Sequence, residues 1–418
     1  MSNVVVATDD DDMLALSAAE LRLLHGLRDE RCLKAAVLLL NADFLLIATG
    51  AGMSVGAGMS TYRTYGTAGE AETPLATGVS DAEGSELRYE ELASPEALRV
   101  APRCFYAFML GFYNRAAAAQ PSAGYRTLAA WQQLLFGAED SMVFTSNVDG
   151  MHLRAGSPGV AECHGSKMRW QCAAPCRPGE VWDVAARHPS FRFDQAAVAP
   201  AAAVAARRGP SEGEGEGEGE GEGEGEGEGK GGDGDGDGGA KRQRLSEGGG
   251  GGGGGEGGGG GGFSEATVRF VRRSEASGHA PACVHCGGPA RPACLLFGDD
   301  GAACLATAGT AEYEQRWRPR VRRALAADRE KRLVVVEVGA GTAVPSVRNE
   351  AESFLEVEHG AARGPSSRQC TVVRINPTPV TGDNSTPGVL SIAWEAEEAI
   401  ACIASHIRTL AREGAAGL

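Results

Sequence analysis

The sequence lacks the features that would place the chain in a membrane, in a secretory route or on nucleic acid. Its most apolar run, Ala35–Leu40, is far shorter than a membrane span and is stopped by Asn41 and Asp43. Asp9–Asp12 stand near the start, where a secretory signal would have a basic start and an apolar core. The formal net charge is −15, with no basic excess to hold nucleic acid. We therefore expect a soluble, intracellular protein with neither a membrane nor a direct nucleic-acid partner.

Most of the net negative charge lies in one low-complexity segment. Residues 209–262 hold 14 acidic and 4 basic residues, and 30 of the chain's 61 glycines. Such a composition buries too little apolar area to offset the entropy of ordering it, which predicts a disordered insertion over about 187–278. The basic cluster Lys241–Arg244 inside it is either a nuclear address or a solubilising patch, so nucleus and cytoplasm both stay open.

Outside that segment, short apolar runs alternate with amphipathic stretches. This pattern predicts a parallel α/β sheet with helices on both faces, which binds ligands at the carboxyl ends of its strands. The predicted strands are Phe44–Thr49, Ser141–Thr145, Ala293–Phe297, Leu333–Val338 and Thr371–Ile375. The predicted helices are 13–41, 94–119, 121–136, 312–332 and 394–412, with a loop or lid over 66–93.

Two of these strands run directly into glycine-rich turns. Gly50-Ala51-Gly52 follows the first strand, and Gly339-Ala340-Gly341 follows Leu333–Val338. Glycine allows the backbone to approach a ligand closely, and the N–H groups after a strand suit a diphosphate. The alternative is a pair of ordinary structural turns.

Four of the eleven cysteines form two close pairs, Cys172/Cys176 and Cys283/Cys286. This spacing predicts a four-thiolate, structural Zn²⁺ site, while the scattered cysteines are expected to be buried as small apolar residues. Between the two pairs lie 106 residues. Closing so long a loop costs about 1.5 kcal/mol more than closing a short one, whereas zinc binding is worth roughly 10 kcal/mol. The insertion is therefore compatible with the site.

Together these elements resemble the sirtuin family of NAD-dependent deacylases over about residues 37–176 and 281–403. Beyond the glycine turns and the cysteine pairs, the resemblance rests on these further motifs: Gly58 with Tyr62-Arg63, Pro121–Tyr125, Thr145–His152, Glu162–Gly165, Arg291–Asp299, Val338–Pro345 and Ile375-Asn376.

The resemblance implies a Rossmann-like domain and a small zinc-binding module. The first would comprise 37–165 and 293–418, and the second 166–292, interrupted by the disordered insertion. Residues 1–36 would form an N-terminal helical extension.

The resemblance also assigns roles to single residues. His164 would be the general base, and Asn147 would orient the nicotinamide ribose. Leu295, Phe297 and Gly298 would hold an acyl-lysine peptide. The residues expected to bind NAD⁺ are Gly50, Ala51, Gly52, Ser54, Tyr62, Arg63, Ser146, Asn147, Asp149, Gly339, Ala340 and Asn376.

The implied activity is removal of an acyl group from lysine, with transfer of that group to ADP-ribose and release of nicotinamide. Thr61 stands where the family usually has an aspartate, and Ser60 where it has a proline. This departure leaves two alternatives: ADP-ribosyl transfer or NAD hydrolysis on the same fold, and a catalytically weak module that binds NAD or ADP-ribose. The oligomeric state stays open.

Overall fold

The computed structural model describes only part of the chain. The described residues are 5–6, 14–15, 18–59, 89–177, 180–183, 282–283, 285–299, 308–356, 369–378, 382–383 and 385–416. All of them belong to one compact unit, Met1–Pro200 with Phe263–Leu418, and the second unit, Ala201–Gly262, lies outside them. The predicted insertion over 187–278, Lys241–Arg244 and the predicted site residues Tyr62 and Arg63 also lie outside the described residues.

Six strands form a parallel sheet in the order β9-β8-β7-β1-β2-β3. Their bounds are β1 Phe44–Thr49, β2 Ser141–Thr145, β3 Val160–Glu162, β7 Leu333–Val338, β8 Cys370–Ile375 and β9 Val389–Ile392. Strands β1, β2 and β7 are buried along their whole length, which is why their sequences are nearly unbroken apolar runs.

The sheet reverses its winding direction between β1 and β7. The chain enters at β1 in the middle and builds outward through β2 and β3. It then returns beside β1 as β7 and builds outward the other way. The carboxyl ends of β1 and β7 therefore flank the point at which an open α/β sheet offers a crevice for a ligand.

Helices cover both faces of this sheet. Alternate residues of β1 point to opposite faces: Leu45 and Ile47 join one apolar cluster, and Phe44, Leu46 and Ala48 join another. The helices are α1 Ala18–Leu40, α2 Tyr89–Leu92, α3 Pro95–Val100, α4 Pro102–Ala118, α5 Ala123–Trp131, α6 Met151–Arg154, α7 Ala308–Glu312, α8 Arg318–Ala327, α9 Ser346–Glu356 and α10 Ala396–Ala416. The predicted α/β class is confirmed. Helix α1 runs across residue 36, the predicted end of the extension, and Cys32, Ala35 and Leu39 belong to the first cluster.

A second, three-stranded sheet has the order β5-β4-β6 and is antiparallel. Its strands are β4 Gly165–Cys172, β5 Val181–Asp183 and β6 Ala290–Cys294. Trp170 pairs with Trp182, and both are buried. The chain leaves the main sheet after β3 and enters this small sheet directly at Gly165.

Several predicted boundaries are wrong for identifiable reasons. The single helix expected over 94–119 is two helices, α3 and α4, because Pro102 cannot continue the hydrogen-bond ladder of α3. The strand expected at Ala293–Phe297 is β6, which begins at Ala290 and ends at Cys294. Residues 89–92, expected in a loop or lid, form helix α2. In the described residues, no helix combines the length and apolar character needed to cross a membrane.

Candidate functional site

The two glycine turns meet in direct backbone contact at the reversal between β1 and β7. A Cβ on Gly50 would lie 2.6 Å from the carbonyl oxygen of Gly339, and one on Gly52 would lie 2.7 Å from Gly339 Cα. Gly339 itself has a φ of +61°. Only glycine allows two turns to pack this closely, so these glycines shape the floor of the crevice.

Two amides of the first turn donate hydrogen bonds within the contact between the two turns. The Gly50 N–H donates to the Val338 carbonyl at 3.0 Å, and the Gly52 N–H donates to the Gly339 carbonyl at 3.0 Å. The predicted donation of these two amides to a diphosphate is thus not available in this structure. Gly50 and Gly52 act here through close approach of the backbone, and the predicted Ala51 lies between them at the start of the 3-10 helix Ala51–Ala57.

Asn147 lies beneath the first turn in a buried polar network. Its Nδ2 donates to the Gly50 carbonyl at 2.9 Å and lies 3.1 Å from Ser54 Oγ and 3.2 Å from the Tyr125 hydroxyl. Ser54 Oγ donates to Asp149 Oδ2 at 2.6 Å and lies 2.8 Å from the Tyr125 hydroxyl. The structure therefore brings together Asn147, Asp149 and Ser54, three residues that the sequence predicted as neighbours of the cofactor.

Asp149 is 5% exposed and uses both carboxylate oxygens within the protein. Besides the bond from Ser54, its Oδ1 accepts the amide of Met151 at 2.9 Å, at the start of α6. Burial raises the pKa of Asp149, while the bonds from Ser54 and Met151 lower it. The bond to Met151 is that of an Asx turn, and the bond from Ser54 fixes the Ser54 side chain. Each carboxylate oxygen of Asp149 keeps a further lone pair that can accept a hydrogen bond from a ligand.

A second layer of polar groups supports this network from the strand ends. Thr49 Oγ1 lies 2.8 Å from Thr145 Oγ1 and 2.8 Å from His152 Nε2. The His152 ring packs edge-on against Tyr125, with ring centroids 4.6 Å apart. Burial lowers the pKa of His152 to about 3, so this histidine is neutral and structural.

His164 stands beside the same strand end, between β3 and β4. Its Nε2 lies 3.0 Å from Ser346 Oγ at the start of α9. Burial lowers the pKa of His164, and a hydrogen bond to the Ser146 backbone acts in the opposite direction. The ring is therefore neutral near pH 7 and retains a lone pair that can take a proton.

Glu162, two residues before His164, is a buried carboxyl group. It is 4% exposed and forms an ion pair with Arg169 in the middle of β4. Burial raises the pKa of Glu162 to about 7. The positive charge of Arg169 lowers this pKa, and the negative charge of Asp149 raises it. Two carboxyl groups and one neutral imidazole thus lie close to the carboxyl ends of β2 and β3.

The second glycine turn is held by Asn376 and by a buried ionic cluster. Asn376 Nδ2 donates to the Ala340 carbonyl at 3.1 Å. Below the turn, Arg374 contacts Glu337 at 2.7 and 2.9 Å and Asp383 at 2.7 Å. Gly339, Ala340 and Asn376, predicted to contact the adenosine half, are therefore gathered at one strand end.

The residues predicted to hold a peptide follow β6 and are not part of a strand. The Leu295 amide donates to the His164 carbonyl at 2.9 Å, and the Phe297 amide donates to the Ala93 carbonyl at 2.8 Å. Their side chains are 39% and 37% exposed, and Gly298 follows with a φ of +84°. An added peptide strand would thus find these two amides already engaged. The Phe297 ring also packs edge-on against Tyr89, with ring centroids 5.9 Å apart.

The four predicted zinc ligands lie at one end of the small sheet. The sulfurs of Cys172 and Cys286 are 3.7 Å apart, and those of Cys176 and Cys283 are 3.6 Å apart; all four lie within 4.8 Å of one another. Four thiolates around a tetrahedral zinc ion are separated by about 3.8 Å, so the residues fit this metal. Backbone donors at Cys286 and His285 lower the pKa of Cys283 to about 6, which favours the thiolate that zinc requires.

Sequence reasoning missed several residues of the site. Thr49 and Thr145 are the last residues of buried parallel strands, and that position is the signal that could have found them. Ser346, which contacts His164, and Glu397, which accepts the Gly124 amide at 2.8 Å, had no such signal. Both depend on how distant helices begin, which only the folded chain reveals.

Comparisons with known proteins agree on one family. Residues 50–191 match the model of the Sir2 family. An NAD-dependent protein deacylase of Aeropyrum pernix is 34% identical over 143 residues, which cover 33% of this chain and 49% of that protein. An NAD-dependent protein deacetylase of Streptomyces coelicolor is 37% identical over 136 residues, which cover 32% and 38%.

The matched part thus spans about half the length of these curated relatives, or less. A crystal structure of a Sir2 homologue–NAD complex aligns over 90% of this chain and 94% of that one, at 17% identity and a TM-score of 0.49. The similarity of this chain to the Sir2 family thus lies in residues 50–191.

Proposed function

We propose that the chain is an NAD-dependent protein-lysine deacylase. The observation that carries the proposal is the convergence of Asn147 and the neutral His164 at the strand ends beside two touching glycine turns. The curated relatives named NAD-dependent protein deacylase support the same reading for the matched segment. The proposed domains are the Rossmann-like sheet, 37–165 with 293–418, and the zinc module, 166–292.

NAD⁺ would supply a ribose whose nicotinamide can leave as a neutral group. The chain's contribution is a crevice that reaches from Ser146 and Asn147 on one side to Gly339, Ala340 and Asn376 on the other. Asn147 is held by its bond to the Gly50 carbonyl, so its amide group is fixed before a ligand arrives. Such fixed positioning lowers the entropy that the reaction must otherwise lose.

His164 is the proposed general base. Its lowered pKa keeps the imidazole neutral at pH 7, and its Nε2 lies 3.0 Å from the Ser346 hydroxyl at the start of α9. A ribose hydroxyl that replaces Ser346 at Nε2 would find a proton acceptor already in place. Leu295 and Phe297 would flank the acyl-lysine side chain with apolar surface.

One observation favours the second candidate, NAD consumption without a peptide. The amides of Leu295 and Phe297 are bonded to His164 and Ala93, so strand addition on these two donors is blocked in this structure. NAD hydrolysis or ADP-ribosyl transfer needs no such donors.

Nicotinamide release distinguishes the two. The full chain is incubated with NAD⁺, with and without an acetyl-lysine peptide, as wild type, as His164→Ala and as the control His25→Ala, which changes an exposed histidine on α1. Deacylation predicts release that requires the peptide, is lost in His164→Ala and is retained in His25→Ala. Equal release without peptide would support the second candidate, and binding of NAD⁺ with no release would refute both.

A further inference from the structure

A cluster of three metal-ligating side chains lies between α1 and α10, outside the site described above. Asp29 belongs to α1, and Cys402 and His406 belong to α10. One carboxylate oxygen, Asp29 Oδ1, lies 2.9 Å from His406 Nε2 and 3.6 Å from Cys402 Sγ. The three ligand atoms all lie within 4.8 Å of one another.

The spacing of these residues along the helices explains why they meet. Cys402 and His406 are four residues apart, so both project from the same face of α10 toward α1. The two helices pack closely there, with Cys32 and Ala36 of α1 in one apolar cluster with Ala399 and Ile403 of α10. The packed backbones fix the three ligand atoms from both sides.

The donor set is that of a borderline divalent ion. One thiolate, one imidazole and one carboxylate are all accepted ligands of Zn²⁺, whose ligand atoms are separated by about 3.3 to 3.8 Å in a tetrahedral site. The observed separations of 2.9 and 3.6 Å need only small side-chain rotations to reach this range. A thiolate and a carboxylate would also neutralise the charge of the ion.

One side of the cluster of Asp29, Cys402 and His406 is buried, and the other side is exposed to solvent. On the inner side, the buried thiol of Cys32 donates a hydrogen bond to the Ala399 carbonyl at 3.9 Å, in the helical turn before Cys402. In front, Asp29 is 62% exposed, so solvent reaches the position opposite the thiols.

We propose that Asp29, Cys402 and His406 form a second metal site, which binds a Zn²⁺-class ion with water in the fourth position. The site joins α1 to α10 and is independent of the four-cysteine site on the small sheet. A surface Asp–His pair is the alternative, which contributes little to stability and needs no metal.

Metal stoichiometry of the full chain tests the proposal. The protein is purified with Zn²⁺, dialysed against metal-free buffer, and its zinc is counted by mass spectrometry. The wild type should retain one ion more than His406→Ala and one more than Asp29→Asn. Two matched controls, Glu30→Gln beside Asp29 and Ser405→Ala beside His406, should retain the wild-type number.

Cobalt gives an independent readout that keeps the test valid if a variant folds poorly. Titration of the zinc-free wild type with Co²⁺ should show two absorption components, one of a four-thiolate site and one of a single-thiolate site. Asp29→Asn, which changes an exposed residue, should lose the second component alone. Equal zinc counts in the wild type and both ligand variants, or a cobalt spectrum of the four-thiolate kind only, would overturn the proposal.

Discussion

The contact between the two glycine turns makes a sharp prediction for Gly339→Ala. A Cβ at this position would lie 2.5 Å from Gly52 Cα, Gly52 C and Met53 N, all of them backbone atoms that cannot rotate away. The residue also has a φ of +61°, where an alanine is strained by roughly 1–2 kcal/mol. Overpacking against a fixed backbone adds about 1–3 kcal/mol, so the substitution should lower the free energy of unfolding by about 2–5 kcal/mol.

The matched control is Gly341→Ala, two residues further along the same turn. A Cβ there meets no atom within 4 Å, so its effect should stay within about 0.5 kcal/mol. Urea unfolding followed by circular dichroism gives both midpoints under the same conditions. If Gly339→Ala and Gly341→Ala unfold at the same urea concentration, the close approach of the two turns is refuted.

Three further predictions concern the polar network and the metal site. Ser54→Ala should lower the free energy of unfolding by about 1–3 kcal/mol, because Asp149 loses a buried donor; urea unfolding measures it, and an unchanged midpoint would contradict the network. For His152 the folded pKa of about 3 lies below the unfolded value, so the stability it contributes is full above pH 6.5 and is lost as the pH falls toward 3. In that window His152→Gln should flatten the stability–pH slope by up to about 1.4 kcal/mol per pH unit, and an unchanged slope would argue against a buried neutral ring. Cys176→Ser should remove one zinc ion and expose the buried Trp170 and Trp182, which shifts their fluorescence to longer wavelength; an unchanged spectrum and zinc count would contradict the four-cysteine site.

Local patterns in the sequence were enough to predict the frame of the fold. The strand bounds of Phe44–Thr49, Ser141–Thr145 and Leu333–Val338 agree with the structure, since a strand buried on both faces is an unbroken apolar run that ends at a polar residue or glycine. The four cysteines were equally clear, because metal-ligand spacing is local within each pair.

Features that depend on distant partners were not predictable in the same way. The amides of Gly50 and Gly52 donate to the carbonyls of Val338 and Gly339, which lie nearly 290 residues away in the sequence. Strand β6 ends at Cys294. The Leu295 amide still bonds to His164, next to the start of β4, but the Phe297 amide bonds to Ala93, which is distant in sequence. Strand β9 and helix α9, absent from the prediction, are short or polar segments that gain their stability from the sheet they join.

The direct test of the proposed activity is the fate of the acyl group. The full chain is incubated with NAD⁺ and an acetyl-lysine peptide, and mass spectrometry counts the freed lysine and the O-acetyl-ADP-ribose formed. A deacylase in which His164 is the base should form one O-acetyl-ADP-ribose for each lysine freed, and His164→Ala should form neither while its zinc content and fold are retained. ADP-ribose formed at the same rate with and without the peptide, with every lysine still acetylated, would contradict the proposed function.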